Sequence, residues 1–166
     1  MASLRNWKPW LPVIAWLGVL AVESSDIGSS EHTGSILEKI WTWLLGTPNQ
    51  ETFDEVHHLI RKTGHFCGYA ILSWLIFRAL RATWRNRQEV FARGREYFWQ
   101  LRWAVVGILG TTVVASLDEF HQSFNPNRTG RWQDVVLDSS GALAMQILLY
   151  FTTLRRQKPT IREAEA

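Results

Sequence analysis

The stretch SLDEFHQSFNPNRTGRWQDVVLD, residues 116–138, decides how this chain is organised. It lies between two apolar runs, residues 103–117 and 135–154, and crowds acids, bases and amides into a short window. These polar side chains are Asp118, Glu119, His121, Gln122, Arg128, Arg131, Asp134 and Asp138. Ionisable side chains at the ends of apolar spans indicate function more strongly than the polar residues of an ordinary solvated loop.

The same stretch predicts a helix, a turn and a second helix. The three-and-four spacing of a helix predicts one shared face for Asp118, His121 and Gln122. Pro126 ends this helix, because proline disfavours helix at the residue before it and donates no backbone hydrogen bond. A second helix is expected to begin near Arg131, so that the polar residues of both helices meet at one edge of the apolar spans.

The composition of the 166-residue chain is that of one domain, residues 1–166. Hydrophobic residues make up 46% and charged residues 20%, which would also suit a soluble helical protein with an aromatic core. The charges, however, are concentrated between four apolar segments, and many of the ten tryptophans stand at segment ends, as in the aromatic belt of a membrane protein. The single cysteine, Cys67, excludes an intrachain disulfide and is expected to be buried.

We therefore expect an all-α integral membrane protein, a four-helix bundle with an additional short amphipathic interfacial helix. The spans are expected at about residues 7–23, 63–81, 100–118 and 133–154, and the interfacial helix at about 35–46. The first span could also be a signal peptide, but no small-residue cleavage site precedes Glu23, so we expect it to be uncleaved.

Charge asymmetry predicts the orientation of the spans. Residues 78–102 are rich in arginine, which could indicate a nucleic-acid patch, but between two spans such a run is typical of a cytoplasmic loop. Basic residues also flank the first span and follow the last one, whereas residues 23–60 are mostly acidic. The termini are therefore expected in the cytoplasm, with the acidic segment and residues 116–138 outside.

The second span brings further polar residues to the outer side. His58, Lys62, His65 and Tyr69 recur at helical spacing and form one stripe. His58 is interpreted as part of a solvated helix end, whereas His65 lies close enough to the apolar run to be functional. Buried charges are costly unless they are paired, so these residues are expected to neutralise the acids of residues 116–138.

Two motifs resemble those of VanZ-like membrane proteins. RKTGHFCGYAIL, residues 61–72, is similar to the family's basic-His-Phe-Tyr motif, and DEFHQ, PNRTG and the acids up to Asp138, followed by Gly141, are similar to its second signature. SSEHTG, residues 29–34, resembles the serine-rich segment after the first span of some members. The resemblance extends from about residue 23 to 145, and it departs from the family at Gly68, where many relatives have an acid.

The resemblance implies a bacterial inner-membrane protein of the cell envelope, and for some relatives a contribution to glycopeptide resistance of the teicoplanin type. We expect an outward-facing charged pocket that binds a membrane lipid or a lipid-linked cell-wall precursor, with no nucleic acid, no cofactor and no metal. The expected ligand-binding residues are Lys62, His65, Tyr69, Asp118, Glu119, His121, Gln122, Arg128, Asp134 and Asp138. Lys62 and Arg128 would contact phosphate, and the acids would orient these bases or meet an ammonium group.

Two other interpretations remain open. The first is an integral membrane enzyme that acts on a phosphorylated or lipid-linked substrate, in which His65 or His121 is the general base and Asp118 orients it. In that enzyme Glu119 would be a further catalytic candidate and, with Asp134 and Asp138, could hold a divalent cation. The second is an ion-pair network that ties the spans together and binds nothing.

Overall fold

The computed structural model of the protein describes residues 7–25, 30–88, 100–124 and 130–156. In these ranges it contains five α-helices, α1 to α5 in chain order, and no strand, which confirms the all-α prediction. Their bounds are Leu11–Ser24, Ser30–Leu45, Gln50–Gln88, Leu101–Gln122 and Trp132–Arg156. A short 3-10 turn, Lys8–Trp10, leads into α1.

The helices α4 and α5 are long and apolar enough to cross a membrane, over Leu101–Gln122 and Trp132–Thr153. Only 28% and 22% of these two segments are buried inside the protein, whereas the core helix of a soluble protein would be mostly buried. Large apolar side chains such as Leu109, Val113 and Ile147 point outward, and polar ones such as Thr111 and Gln146 point inward. This distribution suits a membrane protein, because lipid and not water then surrounds the apolar surface.

The first and second predicted spans are less clear. The helix α1 has 14 residues, about 21 Å of helix, which is shorter than the roughly 30 Å of a bilayer core. The helix α3 has 39 residues, about 58 Å, and is charged at both ends of its apolar segment. The arrangement of four spans therefore stays a prediction.

The helix α3 is the centre of the bundle and makes its most extensive contact with α5. The two helices approach closely where Gly141 of α5 faces the backbone of Phe66 in α3, because a Cβ atom at Gly141 would overlap the Phe66 carbonyl oxygen. The apolar core next to this crossing includes Tyr69, Leu72 and Ile76 of α3. Close approach through small residues is how helices pack in a membrane, where van der Waals contact replaces the hydrophobic effect.

A buried polar layer joins α3 to α5 one to two turns beyond the crossing. The Gln146 amide Nε2 donates to Oγ of Ser73 at 2.8 Å and to its carbonyl oxygen at 3.2 Å. The Ser73 hydroxyl in turn donates to the carbonyl oxygen of Ala142 at 3.3 Å. These bonds join α3 to α5 beside the apolar core.

The helix α2 corresponds to the predicted interfacial helix but begins earlier, at Ser30 and not at residue 35. It packs against the first turns of α3, where Trp41 meets Phe53 edge to face and Thr33 Oγ1 lies 3.0 Å from Nε2 of His57. Burial at this contact, together with the nearby positive charge of Arg61, lowers the pKa of His57. The side chain of Trp43 is exposed, so this apolar residue of α2 is not covered by the rest of the described chain.

The expectation that Cys67 is buried was wrong, because its side chain is exposed. Gly68 and Tyr69 lie on the inward face of α3, and Cys67 belongs to the neighbouring outer face. The apolar environment predicted for the thiol would therefore have to come from lipid and not from the protein.

The crossing at Gly141 predicts a steric effect. We expect Gly141→Ala to lower the free energy of unfolding in detergent by about 1–3 kcal/mol, the usual cost of overpacking, because the methyl group pushes α5 away from Phe66. Gly18→Ala is the matched control, since a Cβ atom there meets nothing within 4 Å and alanine favours helix. Equal apparent melting temperatures for the two variants would show that the close approach is not required.

Candidate functional site

The candidate site lies where the C-terminal ends of α1 and α4 meet the middle of α3 and the start of α5. We call it the polar cluster and define it by its described members. These are Ser24, Lys62, His65, Tyr69, Asp118, Glu119, Gln122, Asp134 and Asp138. Eight of these nine residues were predicted from the sequence, and the ninth, Ser24, was not.

A chain of hydrogen bonds crosses the polar cluster from α3 to α1. The Tyr69 hydroxyl donates to Oδ2 of Asp118 at 2.9 Å, and the Gln122 amide donates to the same oxygen at 3.0 Å. The Gln122 amide nitrogen also lies 3.2 Å from Oγ of Ser24. Tyr69 and Gln122 are buried, so their donors fix the position of the Asp118 carboxylate.

The imidazole of His65 pairs with Asp138 and not with Asp118. Nδ1 of His65 lies 3.8 Å from Oδ1 of Asp138, and the ring stacks on Tyr69 with 6.2 Å between centroids. The sequence interpretation, in which Asp118 orients a histidine, is therefore incorrect for this arrangement. Asp118 already accepts two hydrogen bonds, and the close crossing of α3 and α5 gives His65 a different acid.

Asp138 is an unusual member of the cluster. Its side chain is fully buried, and neither carboxylate oxygen has a hydrogen-bond partner among the described residues. A carboxylate can accept about four hydrogen bonds, and a buried one that lacks them is strongly destabilising. This observation needs an explanation, because nearly all buried polar groups in proteins are satisfied.

Two further acids line the outer part of the cluster. Nζ of Lys62 lies 3.9 Å from Oδ1 of Asp134, and both side chains remain partly exposed. The buried carboxylate of Glu119 accepts a hydrogen bond from the backbone N–H of Arg131 at 2.8 Å. Gly130 makes this return of the chain possible, because a Cβ atom there would overlap the carbonyl oxygen of Glu119.

The departure from the VanZ pattern at Gly68 has a structural counterpart. The carboxylate of Glu23 in α1 lies over two glycines of α3, 3.4 Å from a Cβ position at Gly64 and 3.9 Å from one at Gly68. The indole N–H of Trp16 donates to the Gly68 carbonyl oxygen at 2.9 Å and holds α1 against this surface. Glu23 thus brings an acid next to Gly68, the position at which the sequence departs from the motif that it resembles.

Two predicted ligand-binding residues are not part of the described cluster. His121 is exposed, and so it does not share the inward face of Asp118 and Gln122 as the spacing had predicted. The reason is that one helical turn has about 3.6 residues, so that position i+3 is rotated away from i and i+4 when the face is narrow. Arg128 lies outside the described residues. Ser24 was missed, although its position after Glu23 at the end of the first apolar run was a usable signal.

The donor set of the cluster is rich in carboxylates. Within the described ranges no group of three or more His, Cys, Asp or Glu side chains is arranged to hold a metal ion. The divalent-cation site considered for Glu119, Asp134 and Asp138 therefore has no geometric support. What the cluster offers chemically is a set of fixed acceptors with a lysine and an imidazole at its edge.

The bond between Tyr69 and Asp118 predicts energetic coupling. In a double-mutant cycle of Tyr69→Phe and Asp118→Asn, we expect a coupling of about 0.5–3 kcal/mol in the free energy of unfolding, because the two side chains touch. The control cycle pairs Tyr69→Phe with Asp54→Asn on the exposed end of α3, and it should be additive within about 0.5 kcal/mol. Additivity in both cycles would contradict the hydrogen bond.

Comparison with known proteins identifies the family of this chain. No curated protein and no solved structure gives a significant match to the chain. The sequence does match the VanZ/LLP1 family over residues 10–154, a range that includes every residue of the polar cluster. The chain belongs to the VanZ/LLP1 family.

Proposed function

We propose that this protein is a four-pass bacterial inner-membrane protein of the cell envelope whose polar cluster faces outward and binds a phosphorylated or zwitterionic headgroup. The ligand would be a membrane lipid or a lipid-linked cell-wall precursor. The observation that carries the proposal is the combination of fixed, buried acceptors with the cation of Lys62. This side chain is 45% exposed, and its nitrogen lies 3.9 Å from Asp134, too far for a hydrogen bond. We also propose that binding of a cell-wall or lipid headgroup contributes to glycopeptide resistance of the teicoplanin type.

The length of the ion pairs supports a binding pocket over a closed ion-pair network. In a closed network each charged group would lie within hydrogen-bond distance of its partner. The two ion pairs of the cluster are instead 3.8 and 3.9 Å long, beyond the length of a hydrogen bond. Lys62 can therefore turn to a phosphate group as a mobile point charge.

The orientation rests on charge asymmetry. Residues 78–102 carry the arginine-rich segment at the far end of α3 from the cluster, and residues 23–60 are mostly acidic. By the positive-inside bias, the arginine-rich end is cytoplasmic, both termini are cytoplasmic, and the polar cluster is near the outer surface.

Cysteine labelling tests this orientation. In a Cys67→Ser background, we expect Thr47→Cys to react with an impermeant thiol reagent in intact cells, and Asn86→Cys to react only after the cells are opened. Thr47 is exposed between α2 and α3, and Asn86 lies near the opposite end of α3. The reverse labelling pattern would place the cluster on the cytoplasmic side and remove envelope headgroups as its ligands.

A second candidate function is that of a membrane enzyme with a buried histidine–aspartate pair. The specific observation in its favour is that His65, itself largely buried, has Asp138 next to Nδ1, the arrangement in which a carboxylate orients a general base. Nε2 would then be the basic nitrogen. The other catalytic candidates are less suitable, since Asp118 is committed to two hydrogen bonds and His121 is exposed.

Lipid binding tests the main proposal directly. With purified protein in a neutral detergent, phosphatidylglycerol or phosphatidylethanolamine at about a hundredfold excess over Kd should raise the apparent Tm by roughly 5–10 °C, because a ligand that binds the folded state stabilises it. We expect Lys62→Ala to reduce this increase, and Lys39→Ala, on the exposed side of α2, to leave it unchanged.

The outcomes separate the functions. An absence of any increase with either lipid would leave the ion-pair network as the better account. Mass spectrometry of the lipid after incubation provides the second readout, since a cleaved or transferred headgroup that depends on His65 would favour the enzyme.

A further inference from the structure

We infer that the polar cluster recognises a primary ammonium group, with Asp138 as its principal acceptor and Asp118 and Asp134 beside it. This inference rests on the proposed headgroup pocket and names the part of the headgroup that the pocket reads. The cation could belong to a lipid such as phosphatidylethanolamine or to the amine of a soluble molecule, and the shared chemistry is a positive nitrogen with N–H donors.

Among the described residues, Asp138 lacks the hydrogen bonds that a buried carboxylate needs. It is fully buried, and both of its oxygens lack a hydrogen-bond partner within the described chain. His65 at 3.8 Å offers at most one donor through Nδ1, so a second oxygen remains without a partner even if the ring moves closer. A ligand that carries several N–H donors and a positive charge supplies what this carboxylate lacks.

Acids outnumber bases among the described residues of the cluster. The described cluster contains the carboxylates of Asp118, Glu119, Asp134 and Asp138. In the two ion pairs among the described residues, the side chains that oppose these acids are Lys62 and His65, and the imidazole is charged only when it is protonated. Like charges that lie close together in a buried site raise its electrostatic free energy, and a positively charged group in the ligand lowers it.

The acceptors lie at the end of α4 and on the first two turns of α5. Asp134 and Asp138 are separated by one turn of α5, and their partners Lys62 and His65 are separated by about one turn of α3. Tyr69 and Gln122 both donate to Oδ2 of Asp118, which leaves Oδ1 available to another donor. An ammonium group has three N–H donors and can therefore be shared among these acids.

His65 lies beside the buried carboxylate of Asp138 and is itself only 18% exposed, but the two are too far apart for a hydrogen bond. In the inferred complex a change of the His65 rotamer gives the ligand access to this carboxylate and breaks no hydrogen bond to it. Lys62, one turn away and more exposed, remains in place for the phosphate of a zwitterionic headgroup.

The test compares headgroups that differ only in the ammonium. Binding of phosphatidylethanolamine, phosphatidylcholine and phosphatidylglycerol to the full-length protein in neutral detergent is measured by native mass spectrometry. Phosphatidylcholine keeps the positive charge but has no N–H donor, and phosphatidylglycerol has no ammonium. We expect the wild type to bind phosphatidylethanolamine roughly tenfold more tightly than phosphatidylcholine, since each charge-assisted hydrogen bond contributes about one decade of affinity.

Asp138→Asn keeps the shape of the side chain and removes its charge, so the preference for phosphatidylethanolamine should disappear. Asp54→Asn, the same change at the exposed end of α3, should leave the preference intact. Free phosphoethanolamine is added as a competitor, and competition at a Kd equal to that of the lipid would assign the ammonium to a soluble ligand.

Two results would overturn the inference while the proposed function stands. One is equal affinity of the wild type for the three lipids, and the other is an unchanged preference in Asp138→Asn. Failure of all three lipids and of phosphoethanolamine to bind would overturn the proposed function as well.

Discussion

The structure depends on the close contact between Gly141 of α5 and the backbone of Phe66 in α3. This contact sets the distance between the two helices, and the residues on either side of it then meet their partners. One turn before Gly141, Asp138 comes to lie beside His65, and on the other side Gln146 reaches Ser73. A single missing side chain therefore allows both the polar cluster and the buried polar layer to form.

Several polar side chains of this protein are buried, while large apolar side chains of the same helices point outward. Thr111, Gln146 and Asp138 are buried, whereas Leu109, Val113 and Ile147 point outward. In lipid the outward side chains gain nothing by moving inside, so hydrogen bonds and close packing must hold the helices together. The hydrogen bonds of the cluster and of the polar layer can thus both contribute to stability.

The sequence predicts the elements well because helical periodicity is a local property. The residues of α4 and α5, and the i, i+4 pair of Asp118 and Gln122, follow directly from it. The partner of His65 does not, since the sequence offers several acids and the packing of α5 against α3 selects Asp138. The sequence does predict that Glu23, at the end of the first span, joins the cluster. Its contact with Gly64 and Gly68 is non-local, because these glycines lie more than 40 residues further along the chain. The family could be recognised from motifs, whereas the pairing within the site required the tertiary structure.

The length of α3 has a consequence for where the cluster lies in a membrane. From Phe53, where α2 docks, to Arg81 the helix covers 28 residues or about 42 Å, close to the thickness of a bilayer with its headgroups. The acids of α4 and α5, however, lie at the ends of the two membrane-competent segments, Leu101–Gln122 and Trp132–Thr153. When these segments cross a bilayer, the cluster lies at the edge of its apolar layer. The 12 residues of α3 between Phe53 and His65, about 18 Å of helix, then stand outside that layer and carry α2 with them.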